Sequence, residues 1–410
     1  MTRPLIHLAE VDLGRQRSPE HERGDFMVKY LRSANVGDGI ILLDDIKAMN
    51  FDPQEQATFA LRNGDVLVTE GSGSRETVGQ SAVWHEDLAG VVCFQNTLLR
   101  IRPRVGLADG RFLAWWARHA HAARLMSAVA SGANILHLSA EELRRLPVPH
   151  FDLAQQRRIA DFLDDQVAHI DNIIAARQDQ QRLWRQMLQA EVDNSFGSNA
   201  GVPVARLARI LPGWAFPSDG FTADASDIRL VRGINVGVGQ LRWGDTVYWP
   251  RKRKREVLGF ELVEGDILLG MDRPWIGKGL RIARVDVADL PCLLLQRVAK
   301  LVPGAIVEAG YLYWAYQASS FRREMEVELT GLSVPHLSGS QILQHRVPNL
   351  DRDQQQFVVA HLEAVSGVAA TGQHQARQAI RLLDELKRSL ITAAVTGEFD
   401  VSSADAPGCV

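Results

Sequence analysis

Cysteine is scarce in this chain: Cys93, Cys292 and Cys409 are the only three in 410 residues. Three thiols cannot build a disulfide framework, and no Cys-x-x-Cys or clustered Cys/His spacing points to zinc, so no metal is expected. Long hydrophobic runs are also missing. Stretches such as Ile40-Ile41-Leu42-Leu43 and Ile267-Leu268-Leu269 fall far short of the ~20 apolar residues that cross a bilayer. The opening Met1-Thr2-Arg3-Pro4-Leu5-Ile6-His7 lacks the apolar core of a secretory signal. A cytoplasmic protein without membrane contact is expected.

Recognisable catalytic constellations are absent as well. Gly277-Lys278 has no glycine at Walker A spacing before it, and Gly279 stands where a magnesium-binding Ser or Thr belongs. No Gly-x-Gly-x-x-Gly opens a helix after a strand; Gly71-Ser72-Gly73-Ser74 reads as a polar turn. No Gly-x-Ser-x-Gly elbow or His-Glu-x-x-His is found. The acidic pair Asp164-Asp165 reads as part of a solvated helix face.

What the chain does contain is itself, twice. Pro4, Leu8 and Ala9 recur as Pro203, Leu207 and Ala208; Arg32, Asn35, Val36 and Gly37 recur as Arg232, Asn235, Val236 and Gly237. Gly64-Asp65-Val66-Leu67 returns as Gly265-Asp266-Ile267-Leu268, and Cys93 as Cys292. Gly132-x-x-x-x-His137-Leu138-Ser139 matches Gly331-x-x-x-x-His336-Leu337-Ser338. Val148-Pro149-x-x-Asp152 then matches Val347-Pro348-x-x-Asp351, and Gln155-Gln156 matches Gln354-Gln355. An ordered series at a nearly constant offset signals duplication, and a period near 200 residues is too long for a solenoid. His137 and His336, recurring together, read as structural residues.

Each copy opens with about 150 residues of mixed α and β character, with short strands such as Val66–Thr69 and Asp266–Leu269 cut by Gly and Asp turns. A helix is expected over Arg111–Val129 and again over Ala309–Val327. Asp152 and Asp351 are placed to N-cap long helical tails, Asp152 to about Asn194 and Asp351 to Val395. The first tail holds no Gly or Pro. Gly367 and Gly372 interrupt the second at about 1 kcal/mol each against Ala, so a break near 367–373 is expected. Helices of this length with one apolar stripe need a partner, and each other is the obvious one. The expected organisation is a domain over 1–150, a helix over 151–196, a second domain over 197–350, a helix over 351–397, and a tail over 398–410.

A net charge of −3 argues against a nucleic-acid partner only until it is divided. Residues 201–350 carry +4, residues 1–150 carry −1, and the two helical tails carry −3 each. Arg outnumbers Lys 39 to 7; a GC-rich coding sequence explains much of that, although Arg also suits phosphates and guanine edges. Tyr248-Trp249-Pro250-Arg251-Lys252-Arg253-Lys254-Arg255 is either a solvated loop or a phosphate contact, with Arg273, Trp275 and Lys278 as further candidates. Ser72, Ser74 and Arg75 occupy the corresponding loop of the first copy. Arg32, Asn35, Arg232 and Asn235 are chemically suited to bidentate base contacts, and equally to structural roles.

These residues together resemble the specificity (S) subunit of type I restriction-modification systems, over essentially the whole chain. The resemblance is carried by the Gly-Asp-Val-Leu and Gly-Asp-Ile-Leu turns, the Gly-x-x-x-x-His-Leu-Ser segments, the Gln-Gln helix openings, and the terminal Leu390-Ile391-Thr392-Ala393-Ala394-Val395-Thr396-Gly397-Glu398-Phe399-Asp400. It implies an α+β protein with two mixed α/β target-recognition domains in tandem. Each is followed by a long α-helix, the two helices packing as an antiparallel coiled coil. It implies no catalytic residue and no cofactor in this chain. The expected partners are double-stranded DNA read as a bipartite target, two modification (methyltransferase) subunits that bind S-adenosylmethionine, and restriction subunits that use ATP and Mg. Two other readings stay open: a pseudosymmetric protein-binding adaptor, and a stand-alone DNA methyltransferase or nuclease. The latter is opposed by the absence of an Asn/Asp-Pro-Pro-Phe/Tyr segment.

Overall fold

A computed structural model describes residues 1–197, 201–277, 279–329 and 335–401. The chain divides into two compact units, Met1–Arg177 with the chain from Gln378 onward, and Gln178–Arg377. Cys409 lies outside the described residues.

In the first unit a four-stranded antiparallel sheet runs in the order Ala9–Leu13, Leu98–Pro103, Val66–Thr69, Ser81–Val83. A smaller sheet places Met27–Leu31 between antiparallel Lys47–Asn50 and parallel Val92–Phe94. The second unit repeats the scheme. Ala208–Pro212, Val298–Pro303, Ile267–Gly270 and Ile282–Arg284 lie in the same order, with Val238–Gly239 added at the edge. Ile228–Val231 lies between Tyr248–Trp249 and Cys292–Leu294. Each N-terminal strand closes its unit by pairing with the segment that leads into a long helix: Thr2–Pro4 with Pro147–Pro149, and Val202–Pro203 with Arg346–Val347.

The long helices span Leu153–Phe196 and Arg352–Thr396. Asp152 and Asp351 cap them as expected, accepting from the amides of Gln155 at 2.7 Å and Gln354 at 2.9 Å. Within the first unit the start of one helix runs antiparallel to the end of the other. Asp171 pairs with Lys387 at 2.7 Å, and Leu163 and Val167 share a core with Ile391 and Val395. Within the second unit His361 meets Glu191 at 3.0 Å. The antiparallel packing expected of the helices is therefore seen inside each unit.

The break expected near 367–373 does not occur; the second helix is continuous through both glycines. The two glycines differ physically. Nothing lies within 4 Å of a Cβ built on Gly367, whereas at Gly372 it would stand 2.4 Å from the indole Nε1 of Trp184. Gly372 is the gap that admits Trp184, and helix-helix packing offsets its propensity cost.

The two shorter helices are also corrected. In place of one helix over Arg111–Val129, a helix over Gly110–Ala122 is separated by Arg124, which has φ of 61°, from a short helix over Leu125–Val129 that buries Met126. In place of Ala309–Val327 there are Ala309–Ala315 and Ser319–Leu329. The second restart has a distant cause: the Asp193 carboxylate accepts from both the amide (2.7 Å) and the hydroxyl (2.8 Å) of Ser319, capping that helix from another one.

The two glycines give paired expectations for thermal melting. Gly367→Ala raises stability by up to about 1 kcal/mol, because the site is exposed and helical. Gly372→Ala lowers it by about 1–3 kcal/mol through overpacking against Trp184. Equal shifts of the midpoint in one direction refute the assignment.

Candidate nucleic-acid interface

The residues shared by the two copies turn out to hold the backbone. Gly64 and Gly265 take φ of 85° and 83° at the turn, where a side chain is strained. The following aspartates close it: Asp65 accepts from the Arg62 amide at 2.7 Å and pairs with Arg102, and Asp266 accepts from the Val263 amide at 2.9 Å and pairs with Lys300. Ser139 and Ser338 cap short helices at Ala140–Arg145 and Gly339–Gln344. His137 and His336 each meet an acid, Glu70 at 3.1 Å and Asp272 at 2.6 Å. Burial pushes the thiols of Cys93 and Cys292 up to about 12, so neither supplies a thiolate near neutral pH.

The same accounting corrects Asn35 and Asn235 as base-contact candidates. Both are buried, at 2% and 1% exposure. Each Oδ1 accepts a backbone amide, from Arg32 and Arg232 respectively, at 3.1 Å. The Asn35 amide donates to the carbonyls of Leu42 and Asp45, and the Asn235 amide to those of Arg242 and Asp245. Both N–H donors of each amide are used, and burial keeps the side chain from a base edge. Arg32 and Arg232 stand beside them, paired with Asp45 and Asp245. Asp164, expected to be merely solvated, instead accepts from the Trp115 indole at 2.8 Å and from Arg111 at 3.0 Å.

The basic run is also less free than its composition suggests. Residues Arg251–Val257 form a short 3-10 helix. Arg251 donates to the Ser226 carbonyl at 2.5 Å. Arg253 lies over the Trp249 ring, 4.3 Å from its centroid, and pairs with Glu256 at 2.8 Å; Lys254 pairs with Glu261 at 2.8 Å. Lys252 and Arg255 remain exposed. Trp275 is half-buried, with Phe321 at 6.5 Å and Arg322 over its ring. Arg273 is exposed, with φ of 45° and its amide bound to the Pro335 carbonyl at 2.8 Å. Lys278 lies outside the described residues.

In the first unit Ser72 bonds to Thr77, and Ser74 holds the Glu76 amide at 3.0 Å, so both hydroxyls organise their own loop. Arg75 projects from that loop into solvent. A cleft of about 680 Å³ nearby is lined by Arg17, Tyr30, Arg32, Lys47, Gln95 and Thr97, among others. Its cations are already paired: Arg17 with Glu22, and both Arg32 and Lys47 with Asp45. Asp45 lies below the usual carboxylate range, chiefly through its hydrogen bond to Lys47.

Among the described residues no cluster of three or more His, Cys, Asp or Glu could hold a metal, and no helix is long and apolar enough to cross a membrane.

The sequence and the fold have counterparts among known proteins. A stretch of 158 residues is 34% identical to the type I restriction enzyme EcoAI specificity subunit of Escherichia coli, covering 38% of this chain and 26% of that protein's length. The MjaVIII specificity subunit of Methanocaldococcus jannaschii is 19% identical over 328 residues, covering 75% of this chain and 74% of the relative. This chain is similar to type I restriction enzyme specificity subunits. In fold the similarity extends over 97% of the chain. A chain from a solved type I R-M system superposes with a TM-score of 0.73 at 16% identity, covering 98% of that chain. The HsdS subunit of Thermoanaerobacter tengcongensis superposes with a TM-score of 0.54, also at 16% identity, over 97% of its length. No family model matches the sequence.

Asn35→Ala and Asn235→Ala should each cost on the order of 3 kcal/mol of stability, since buried carbonyls lose their donors. Duplex binding per folded molecule should remain unchanged. A loss of binding at full stability would return these residues to the interface.

Proposed function

We propose that this chain is a non-catalytic, sequence-specific DNA-binding subunit of a type I restriction-modification complex. The observation that carries the reading is one hydrogen-bonded frame built twice, with shared residues inside it and unlike residues on its loops. Two copies of a frame with different loops offer two different readers, and therefore a target in two unlike halves. The helices of 44 and 45 residues, each about 66 Å long at 1.5 Å per residue, serve as the spacer between half-sites. They also form the docking surface for two methyltransferase subunits. Methyl transfer, ATP-driven translocation and cleavage belong to the partner subunits, which bring S-adenosylmethionine, ATP and Mg. The similarity to specificity subunits supports this division of labour, and so does the lack of a recognisable catalytic constellation in the sequence.

The test is to coexpress the chain with its methyltransferase partner and map methylated adenines across a genome. Two half-sites at a fixed separation are expected. Exchanging residues 1–150 for those of a related chain should change one half-site alone, and deleting about one helical turn within 153–196 should change the separation alone. A swap that alters both halves, or an absence of any methylation motif, overturns the reading.

A further inference from the structure

The backbone hydrogen bonds allow the two units to be aligned position by position. Leu42 and Arg242 each donate an amide to the carbonyl of the buried asparagine, Asn35 or Asn235, at 2.8 Å. The carbonyls of Gln80 and Arg281 accept from Thr69 and Gly270, at 2.8 and 2.9 Å. The carbonyls of Thr97 and Arg297 accept from Glu70 and Met271, both at 3.0 Å. Ser72 and Arg273 follow Gly71 and Asp272, which bridge to His137 and His336. At four matched positions the first unit therefore carries Leu, Ser, Gln and Thr, and the second carries four arginines.

Those arginines gather. Arg281 is half-buried, its Nη1 donates to the Gly233 carbonyl at 2.8 Å, and its Nε is sheltered without a hydrogen-bond partner. Arg242 lies across Gly237, where a Cβ would meet its Nε at 2.8 Å. Arg242 and Arg273 are both exposed, with no acidic partner among the described residues. Burial, together with the like charges of Arg242 and Arg273, holds the Arg281 guanidinium below its ordinary value. Arg297 stands at the edge, tied to Asp272 at 3.3 Å. Three neighbouring guanidinium groups without a counter-charge repel one another, and an external anion relieves that repulsion. The first unit spends the same positions internally: Ser72 bonds to Thr77, and Thr97 accepts the Ser33 amide at 3.0 Å.

We infer that Arg242, Arg273 and Arg281 form a binding site for the phosphate backbone of duplex DNA, making the second unit the main electrostatic anchor of the chain. The inference rests on the DNA-binding reading above. It assigns that role to this cluster and not to the basic run over 251–255, whose cations are largely paired within the protein.

The experiment titrates the full-length chain against fluorescent 30-base-pair duplexes of unrelated sequence at several salt concentrations. The substitutions take the residues of the first unit: R242L, R273S and R281Q together. With about 0.9 of logarithmic slope per neutralised phosphate, losing three phosphate contacts should flatten the salt dependence by about 2.7 in the triple variant. Its affinity should fall roughly tenfold or more on every duplex. The double variant K252Q/R255Q should change the slope by less than one. Grafting the arginines the other way, as L42R/S72R/Q80R, should steepen it, which keeps the test independent of how well the triple variant folds. If the wild-type chain binds with a salt slope that the triple variant retains, the cluster is not the anchor, although the chain still binds DNA. A loss confined to one duplex sequence replaces phosphate contact with base reading and overturns the inference. Failure of the wild-type chain to bind any duplex overturns the DNA-binding reading itself.

Discussion

One side chain in each half joins a long helix to its domain. Gln156 is 1% exposed and Gln355 3%. The Gln156 carboxamide accepts from the Asp109 amide at 2.9 Å and donates to the carbonyls of Phe151 and Leu107; Gln355 does the same with Glu308, Leu350 and Ile306. Buried backbone groups need partners, and here one amide satisfies three at the place where helix, helix-leading segment and domain meet. Its neighbour in the Gln-Gln pair does a different job: Gln155 and Gln354 accept from the backbone amides of Asp152 and Asp351 at 3.0 Å, completing the capping boxes. A short motif that is weak as a sequence signal is thus a pair of separate structural requirements placed side by side.

The same economy explains what could be read from the sequence. Gly64 and Gly265, the capping serines, Gln155 and Gln354, and the buried asparagines are each dictated by local backbone geometry, whereas Gln156 and Gln355 answer to backbone groups of the domain. They recur at a fixed offset because the frame recurs, so the duplication, the long helices and their caps were legible. Their chemical suitability for DNA was misleading in the case of Asn35 and Asn235: the amide geometry that fits adenine also fits two backbone carbonyls. The breaks in the shorter helices were not legible, because the group that restarts one of them, Asp193, lies 126 residues from Ser319. Gly372 is misleading in sequence for a related reason. A glycine in isolation weakens a helix, and only the facing Trp184 reveals why this one is needed.

Charge is where sequence and structure rank the residues most differently. Five consecutive cations are conspicuous in a sequence, yet Glu256, Glu261, the Trp249 ring and the Ser226 carbonyl engage three of them. Arg242, Arg273 and Arg281 belong to no run of like charge, and folding brings their segments of chain together. Exposed ion pairs contribute little to stability, but they do decide which cations are left to meet an outside anion. The count that bears on a phosphate partner is therefore of unpaired guanidinium groups in one place, and runs of like charge are a poor proxy for it.

On the proposed function, a duplicated reader has two properties to balance. Phosphate neutralisation supplies affinity without sequence information, whereas loop side chains facing base edges supply information. If both copies carried strong cationic clusters, nonspecific binding would grow with each and the discrimination between right and wrong half-sites would occupy a smaller share of the total. On the proposed function, concentrating unpaired arginines on one frame, while the other fills the same positions with Leu42, Ser72 and Gln80, leaves the first half more dependent on fit. The frame tolerates this divergence, because at Leu42 and Arg242, at Gln80 and Arg281, and at Thr97 and Arg297 the bond shared by the two copies is made by a backbone amide or carbonyl.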